Sequence, residues 1–323
     1  MKAALLVALA AAAAAGALLV IAGRDSPSRS AGSRLPVAAA PAMPSRTPLQ
    51  SQNGPPQATP SPLQDPATAI SLDGLDAFGL RFKKQPRAAL VFDMNSGKVL
   101  WRRNPVQPLP VASLTKMMSA LVVTERGRPR ESVRIVKAAQ RYSGSGVGVL
   151  PKGRHVPLEA LLHGMLLPSG NDASIALAVH IAGSERRFVK IMNREARRMG
   201  LFCTHFVSSH GLEPGNRSCA ADLAVLARAV MRVPRIARIV RKRRATLRFP
   251  IKGRKLYLNS TNPLLRTGYR GTIGLKTGST DEAGRCLVAV VRRGRRTLGV
   301  VLIDSPDTGR QAKKLFGAAL RAD

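Results

Sequence analysis

From residue 88 onward the chain moves between two hydrophobic rhythms. Ala88 to Asp93 is a nearly unbroken apolar run, Asn95-Ser96-Gly97 is turn chemistry, and Lys98 to Trp101 returns, which predicts a β-hairpin. Pro105, Pro108 and Pro110 keep the next segment extended. Leu114, Met117, Met118 and Leu121 then recur at helical spacing, predicting a helix that starts at Ser113. After a basic, glycine-rich passage from Ser143 to Gly153 the pattern turns helical again. Leu158, Leu161, Leu162, Met165 and Leu166 share one face, Ile175 to Ile181 continues, and Ser184-Glu185 opens a helix ending at Met199-Gly200. Ser218 is the expected cap of a helix over Cys219–Met231. Beyond Arg243 strands return, at Thr246–Phe249, Gly271–Gly278, Cys286–Val291 and Leu298–Ile303, and a helix over Arg310–Leu320 closes the chain. Strands at both ends of a helical middle predict an α/β fold of the α+β kind. An antiparallel sheet is completed by the two ends of the domain and flanked by helices, with an inserted helical lobe and a site in the cleft between them.

The pattern before residue 77 is different. Met1-Lys2 leads into an apolar run from Ala3 to Ala22, followed by Gly23-Arg24-Asp25. A charged start, an apolar centre and a polar exit predict a signal peptide or an N-terminal membrane anchor over residues 1–24. No cysteine follows the run, so lipoprotein processing is not expected. Residues 25–76, rich in Pro, Ser and Ala without apolar period, read as a disordered linker, and residues 77–323 as the folded domain. The expected location is therefore extracytoplasmic, at the membrane face or in the wall, secreted or anchored at the N-terminus.

Charge adds a question about partners. Lys+Arg is 52 and Asp+Glu 18, so 52 − 18 gives +34. The densest run is Arg232 to Arg248. An exported chain with 4% aromatic residues is a poor nucleic-acid binder, and none is expected as a partner. Contact with anionic membrane or wall polymer is the functional reading of the basic surface, and a solvated arginine-rich surface with no partner is the plain one. Export also permits a disulfide. Cys203 and Cys219 flank the loop Thr204–Ser218 and are the expected pair, whereas Cys286 lies in an apolar run and reads as a buried thiol.

Ser113-Leu114-Thr115-Lys116 puts a hydroxyl and an amine three residues apart, on one face of a helix, where a lysine can take a serine's proton. Alone, the stretch reads first as a helix cap with a solvated lysine one turn on. Two further stretches change that. Pro168-Ser169-Gly170-Asn171-Asp172 projects a hydroxyl and an amide from a turn between helices, and Lys276-Thr277-Gly278 sits on a strand where glycine admits a ligand backbone.

The three in this order resemble the penicillin-recognising serine DD-peptidases, specifically the low-molecular-weight D-alanyl-D-alanine carboxypeptidases. The resemblance runs from about Ala88 to Phe316. It includes Leu167 to Ala173, Met192-Asn193, Thr204 to Phe206, Gly211-Leu212, Ala221 to Leu223, and Gly274 to Gly278 followed by Ala283-Gly284. It implies a β-lactamase/DD-peptidase-like fold and an acyl-enzyme mechanism on peptidoglycan stem peptides, with β-lactam antibiotics bound covalently. Ser113 would be the nucleophile and Lys116 its base, neutral because it is buried beside Lys276. Ser169 would relay the proton to the leaving amine and Asn171 would hold Lys116 and the substrate amide. Lys276 and Thr277 would orient the substrate carboxylate, with Gly278 admitting the substrate and the N–H groups of Ser113 and Ser279 forming the oxyanion hole. No metal and no organic cofactor is implied. The chain closes shortly after Lys313-Lys314-Leu315-Phe316, so the second β-rich domain and amphipathic C-terminal anchor of some DD-carboxypeptidases are not expected.

A DD-endopeptidase of the same family is the nearest alternative. A class A β-lactamase shares the three motifs but needs a glutamate with Asn four residues on, and in Glu213-Pro214-Gly215-Asn216 the Asn comes at the third. A catalytically silent wall-binding module fits poorly with every chemistry-bearing residue in place.

Overall fold

A computed structural model describes residues 68–322. The chain begins with strands β1 (Ala88–Asp93), β2 (Val99–Arg103) and β3 (Leu109–Pro110), then a 3₁₀ turn over Ala112–Thr115 that runs into helix α1 (Lys116–Arg126). Strand β4 (Ser132–Arg134), α2 (Lys137–Gln140), β5 (His155–Pro157), α3 (Leu158–Leu166), α4 (Asn171–Ala182) and α5 (Glu185–Arg198) follow. Next come β6 (Arg217–Ser218), α6 (Ala220–Arg232), α7 (Pro234–Val240), β7 (Arg244–Arg248), β8 (Lys255–Asn259) and α8 (Pro263–Arg266). Strands β9 (Thr272–Thr280), β10 (Gly284–Arg293) and β11 (Arg296–Ile303) and helix α9 (Thr308–Arg321) complete it.

The main sheet has the order β2-β1-β11-β10-β9 and is antiparallel throughout. As the pattern predicts, the two ends of the domain meet in it. Strand β1 lies against β11 with Ala88 opposite Ile303 and Asp93 opposite Leu298. Its central strands are apolar runs rather than alternations because both faces are covered. Leu90, Phe92, Val288, Val290, Val301 and Ile303 face the helical lobe, with Met117 and Met118 of α1 and Leu226 of α6. Val91, Leu287, Ala289, Val300 and Leu302 face α9 through Leu315, Phe316 and Ala319. Each such large side chain contributes about 1.5–3 kcal/mol of burial. Cys286 is buried in the first of these layers, and that burial pushes its thiol up to about 12.

Three expectations change. The linker expected through residue 76 ends earlier: Ser71 bridges Lys98, Ile70 and Leu72 pack on the core, and the Arg102 guanidinium donates to the carbonyls of Leu72 and Gly74. Ser218 does not cap α6. It sits in β6 opposite Leu109 with its hydroxyl 2.8 Å from Thr204 Oγ1, and Cys219 takes the cap position. The basic run from Arg232 to Arg248 is divided among the end of α6, α7 and β7, and Arg235 is turned inward, with Nε 2.7 Å from Glu159 and Nη1 donating to the Gly127 carbonyl. Residues 1–24 and nearly all of the 25–76 segment lie outside the described residues. No helix among the described residues is long and apolar enough to cross a membrane.

Candidate active site

The chain enters the site from β3 through Ala112, whose φ of +47° lies in the left-handed region that side chains disfavour. The bend drops the backbone into the 3₁₀ turn, so Ser113 precedes the α-helix proper instead of opening it. In 3₁₀ geometry residues i and i+3 eclipse, which aligns Ser113 with Lys116 more directly than an α-helix would. Lys116 Nζ donates to Ser113 Oγ at 2.8 Å. Ser113 is half-buried, and Lys116 is fully buried at 0% exposure.

The second segment is the turn between α3 and α4. Ser169 has φ +69°, and Asn171 opens α4 with its side chain turned inward. Asn171 Oδ1 accepts from Lys116 Nζ at 2.7 Å while its Nδ2 donates to the Ser143 carbonyl at 2.7 Å, which fixes the orientation of the amide. Asp172 receives the backbone N–H groups of Val147 and Gly148 at 2.8 and 2.9 Å, tying the glycine-rich passage to the same turn.

The third segment is β9. Lys276 Nζ donates to Ser169 Oγ and to the Thr277 carbonyl, each at 2.9 Å. Alternation along the strand buries Lys276 and Gly278 and leaves Ser279 exposed. A Cβ on Gly278 would lie 2.8 Å from the Val111 carbonyl oxygen and 3.0 Å from Ser113 N, so only glycine lets β9 run this close to the turn.

Ser113, Lys116, Ser169, Asn171 and Lys276 are thus joined by direct hydrogen bonds in two groups, around Lys116 and around Lys276. Two lysine amines are buried together. Loss of hydration and then the charge of Lys276 hold Lys116 well below the ordinary lysine value, against the opposing pull of Asp172, Glu213 and Glu185. Burial alone brings Lys276 down to about 7.

Three contributions have no assigned role in the sequence reading, although Gly211 itself belongs to the family signature. The His210 carbonyl accepts from Lys116 Nζ at 2.7 Å, supplying its third acceptor. Gly211, at φ +83°, brings that loop against the turn, and a Cβ there would sit 2.1 Å from the Ala112 carbonyl oxygen. Thr261, outside every motif, has its hydroxyl 2.5 Å from that of Thr277. The compact polar run Ser208-Ser209-His210-Gly211 was the available signal for the first two. Glu213 is engaged by His210, with its Oε1 3.3 Å from His210 Nε2. Its burial raises its pKa, but bonds from His210 and Ser208 outweigh this and hold it down to about 2.

Cys203 and Cys219 form a disulfide that closes the loop carrying His210. Asp222 lies beside it, accepting from Cys203 N and Thr204 Oγ1 at 2.7 Å, and with both sulfurs joined the trio is not a metal site. Two cavities adjoin the site, one of about 390 Å³ lined by Ser143, Tyr142 and His210, the other of about 700 Å³ lined by Pro168, Ser260 and Thr261.

This fold and arrangement coincide with a known class. The family model of peptidase S11, described as D-alanyl-D-alanine carboxypeptidase, matches residues 82–307, and the chain belongs to that family. It is 35% identical over 236 residues to D-alanyl-D-alanine carboxypeptidase DacF of Bacillus subtilis, a match covering 71% of this chain and 60% of that protein. It is 32% identical to a D-alanyl-D-alanine endopeptidase of Pseudomonas aeruginosa, covering 74% and 78%. Among solved structures, D-alanyl-D-alanine carboxypeptidase from Mycobacterium tuberculosis superposes with a TM-score of 0.70 at 32% identity, covering 77% of this chain and 96% of that one. A mutant of a Streptomyces DD-transpeptidase gives 0.68 at 30%, covering 73% and 97%.

Proposed function

We propose that the protein is a serine-type D-Ala-D-Ala carboxypeptidase that trims peptidoglycan stem peptides through an acyl-enzyme. The observation that carries this reading is the buried, charge-opposed Lys116 amine 2.8 Å from the Ser113 hydroxyl. Lys116, neutral, takes the Ser113 proton as Oγ attacks the carbonyl carbon of the terminal D-Ala-D-Ala bond. The negative charge that develops on the carbonyl oxygen is received by the N–H groups of Ser113 and Ser279. Ser169, bonded to Lys276, passes its proton to the leaving nitrogen and takes up the one Lys116 gained from Ser113, so both groups are restored as the terminal D-alanine departs. Water then attacks the ester and restores Ser113. Asn171 holds Lys116 and the substrate amide, and Lys276 and Thr277 receive the substrate carboxylate. A β-lactam enters the same path and stops at the acyl-enzyme.

The test is mass spectrometry of a defined muropeptide set treated with wild type and Ser113→Ala. Loss of a single D-alanine by the wild type alone is the expected result. Cleavage of cross-links without that loss would establish the second reading, an endopeptidase, which the fuller coverage of the Pseudomonas endopeptidase favours. The Bacillus subtilis relative extends well beyond the matched region, since the chain spans about 60% of its length. Export by residues 1–24, and docking of the basic surface on an anionic envelope component, complete the proposal.

A further inference from the structure

The two-stranded sheets β4–β5 and β7–β8 enclose a groove of about 990 Å³ whose lining includes none of the residues assembled around Ser113. Arg130, Arg154, Arg248, Lys252, Arg254 and Lys255 line it, and all six are exposed. None of the six forms an ion pair with a described carboxylate, and the groove's acid, Glu131, is bonded to His180 at 3.1 Å. The floor is apolar, from Val156, Phe249, Pro250 and Ile251. Arg254 has φ +53°, a conformation that favours glycine, so a cation is kept at this turn against backbone preference.

We propose that this groove binds a linear phosphodiester polymer of the cell wall. Four of the six cations are arginines, whose planar forks match phosphate oxygens. The apolar floor suits the carbon backbone between successive phosphates. A flat bilayer carries the same headgroup chemistry but does not enter a concave groove, which a single chain does. The groove also stands at the far end of elements that lead to the site. Strand β8 leaves it at Lys255 and ends at Asn259, at roughly 3.3 Å per residue a distance of about 13 Å and two residues short of Thr261, and α3 leaves it at Leu158 towards Ser169. The polymer therefore seats the domain on the wall with its cleft free. The inference extends the envelope-docking part of the proposed function and is independent of the peptidase chemistry.

The test compares two triple variants of equal charge change. Arg248→Glu, Lys252→Glu, Arg254→Glu alters the groove, and Arg186→Glu, Lys190→Glu, Arg197→Glu alters an exposed face of α5. The probes are purified polyglycerol phosphate and vesicles of phosphatidylcholine with phosphatidylglycerol, each titrated across a salt series. The groove variant is expected to weaken polymer binding by about tenfold or more with a shallower salt dependence, and the α5 variant by less than about threefold. Equal losses in the two variants would reduce the effect to net charge and overturn the proposal. So would a groove variant that loses vesicle binding and retains polymer binding. Should the groove triple not fold, Lys252→Gln and Arg254→Gln at the exposed turn provide the same comparison, each with about a two- to threefold loss. Labelling of Ser113 by a fluorescent penicillin, measured on every variant, separates failure of this inference from failure of the peptidase reading.

Discussion

Ser113 Oγ is the one oxygen bonded to the Lys116 amine that carries a hydrogen of its own. The other two, Asn171 Oδ1 and the His210 carbonyl, can only accept. An ammonium would satisfy all three. A neutral amine has two N–H groups for the two carbonyl oxygens, and its lone pair is left facing the serine hydroxyl. Deprotonation of Lys116 therefore also aims it.

Removing the amine while keeping its bulk tests this directly. Lys116→Met is expected to slow acylation of Ser113 by a β-lactam by about a hundredfold or more, read by intact-protein mass spectrometry. It leaves two buried acceptors without a donor, at about 1–3 kcal/mol each, so a lower unfolding midpoint accompanies the loss.

The two lysines act as a coupled pair, and pH separates their roles. As pH falls, Lys116 gains a proton, and acylation declines. As pH rises, Lys276, brought down to about 7 by burial, loses the charge that receives a carboxylate, and KM for a stem peptide rises. A bell-shaped kcat/KM is expected. In Lys276→Arg the guanidinium stays charged, so the alkaline limb moves upward while the acid limb remains; an unmoved alkaline limb would assign that limb elsewhere.

Gly278→Ala places a methyl group against Val111 and Ser113 N. The expected result is at least a hundredfold loss of acylation, from displacement of β9, with about 1–3 kcal/mol of destabilisation. Gly79→Ala, where nothing lies within 4 Å, is the control and should leave both quantities unchanged.

The Cys203–Cys219 disulfide spans 16 positions, for which loop-closure entropy gives about 3 kcal/mol. Replacing both with serine is expected to lower stability by that order in a denaturant titration. Because the closed loop carries His210, acylation should slow as well, and a stability loss without slower acylation would detach the loop from the chemistry.

Much of this was legible in the sequence because it is carried by local period or by short motifs. The apolar runs at 88–93, 286–291 and 298–303 placed the sheet, and Ser113, Ser169 and Lys276 announced themselves by residue type and order. What escaped acts through the backbone or through contacts between distant segments. The His210 carbonyl is a group every residue possesses, so no side-chain pattern reveals it. Thr261 gains meaning only when α8 and β9 bring it to Thr277. Ala112 marks the turn that carries Ser113 by a φ angle that its side chain does not advertise. Ile70 and Leu72 were hidden by a Pro- and Ser-rich surrounding, and their docking depends on the β1–β2 turn they reach.

The pairing of β1 with β11 has a consequence for the order of synthesis. The segment holding Ser113 and Lys116 leaves the ribosome long before β9 and β11 exist, and until those strands dock Lys116 lacks the burial and the neighbouring cation that lower its pKa. A growing or truncated chain thus carries an ordinary serine beside an ordinary, protonated lysine. On the proposed mechanism the serine is switched on by completion of the chain, so the same geometry keeps it silent until the last strands are in place.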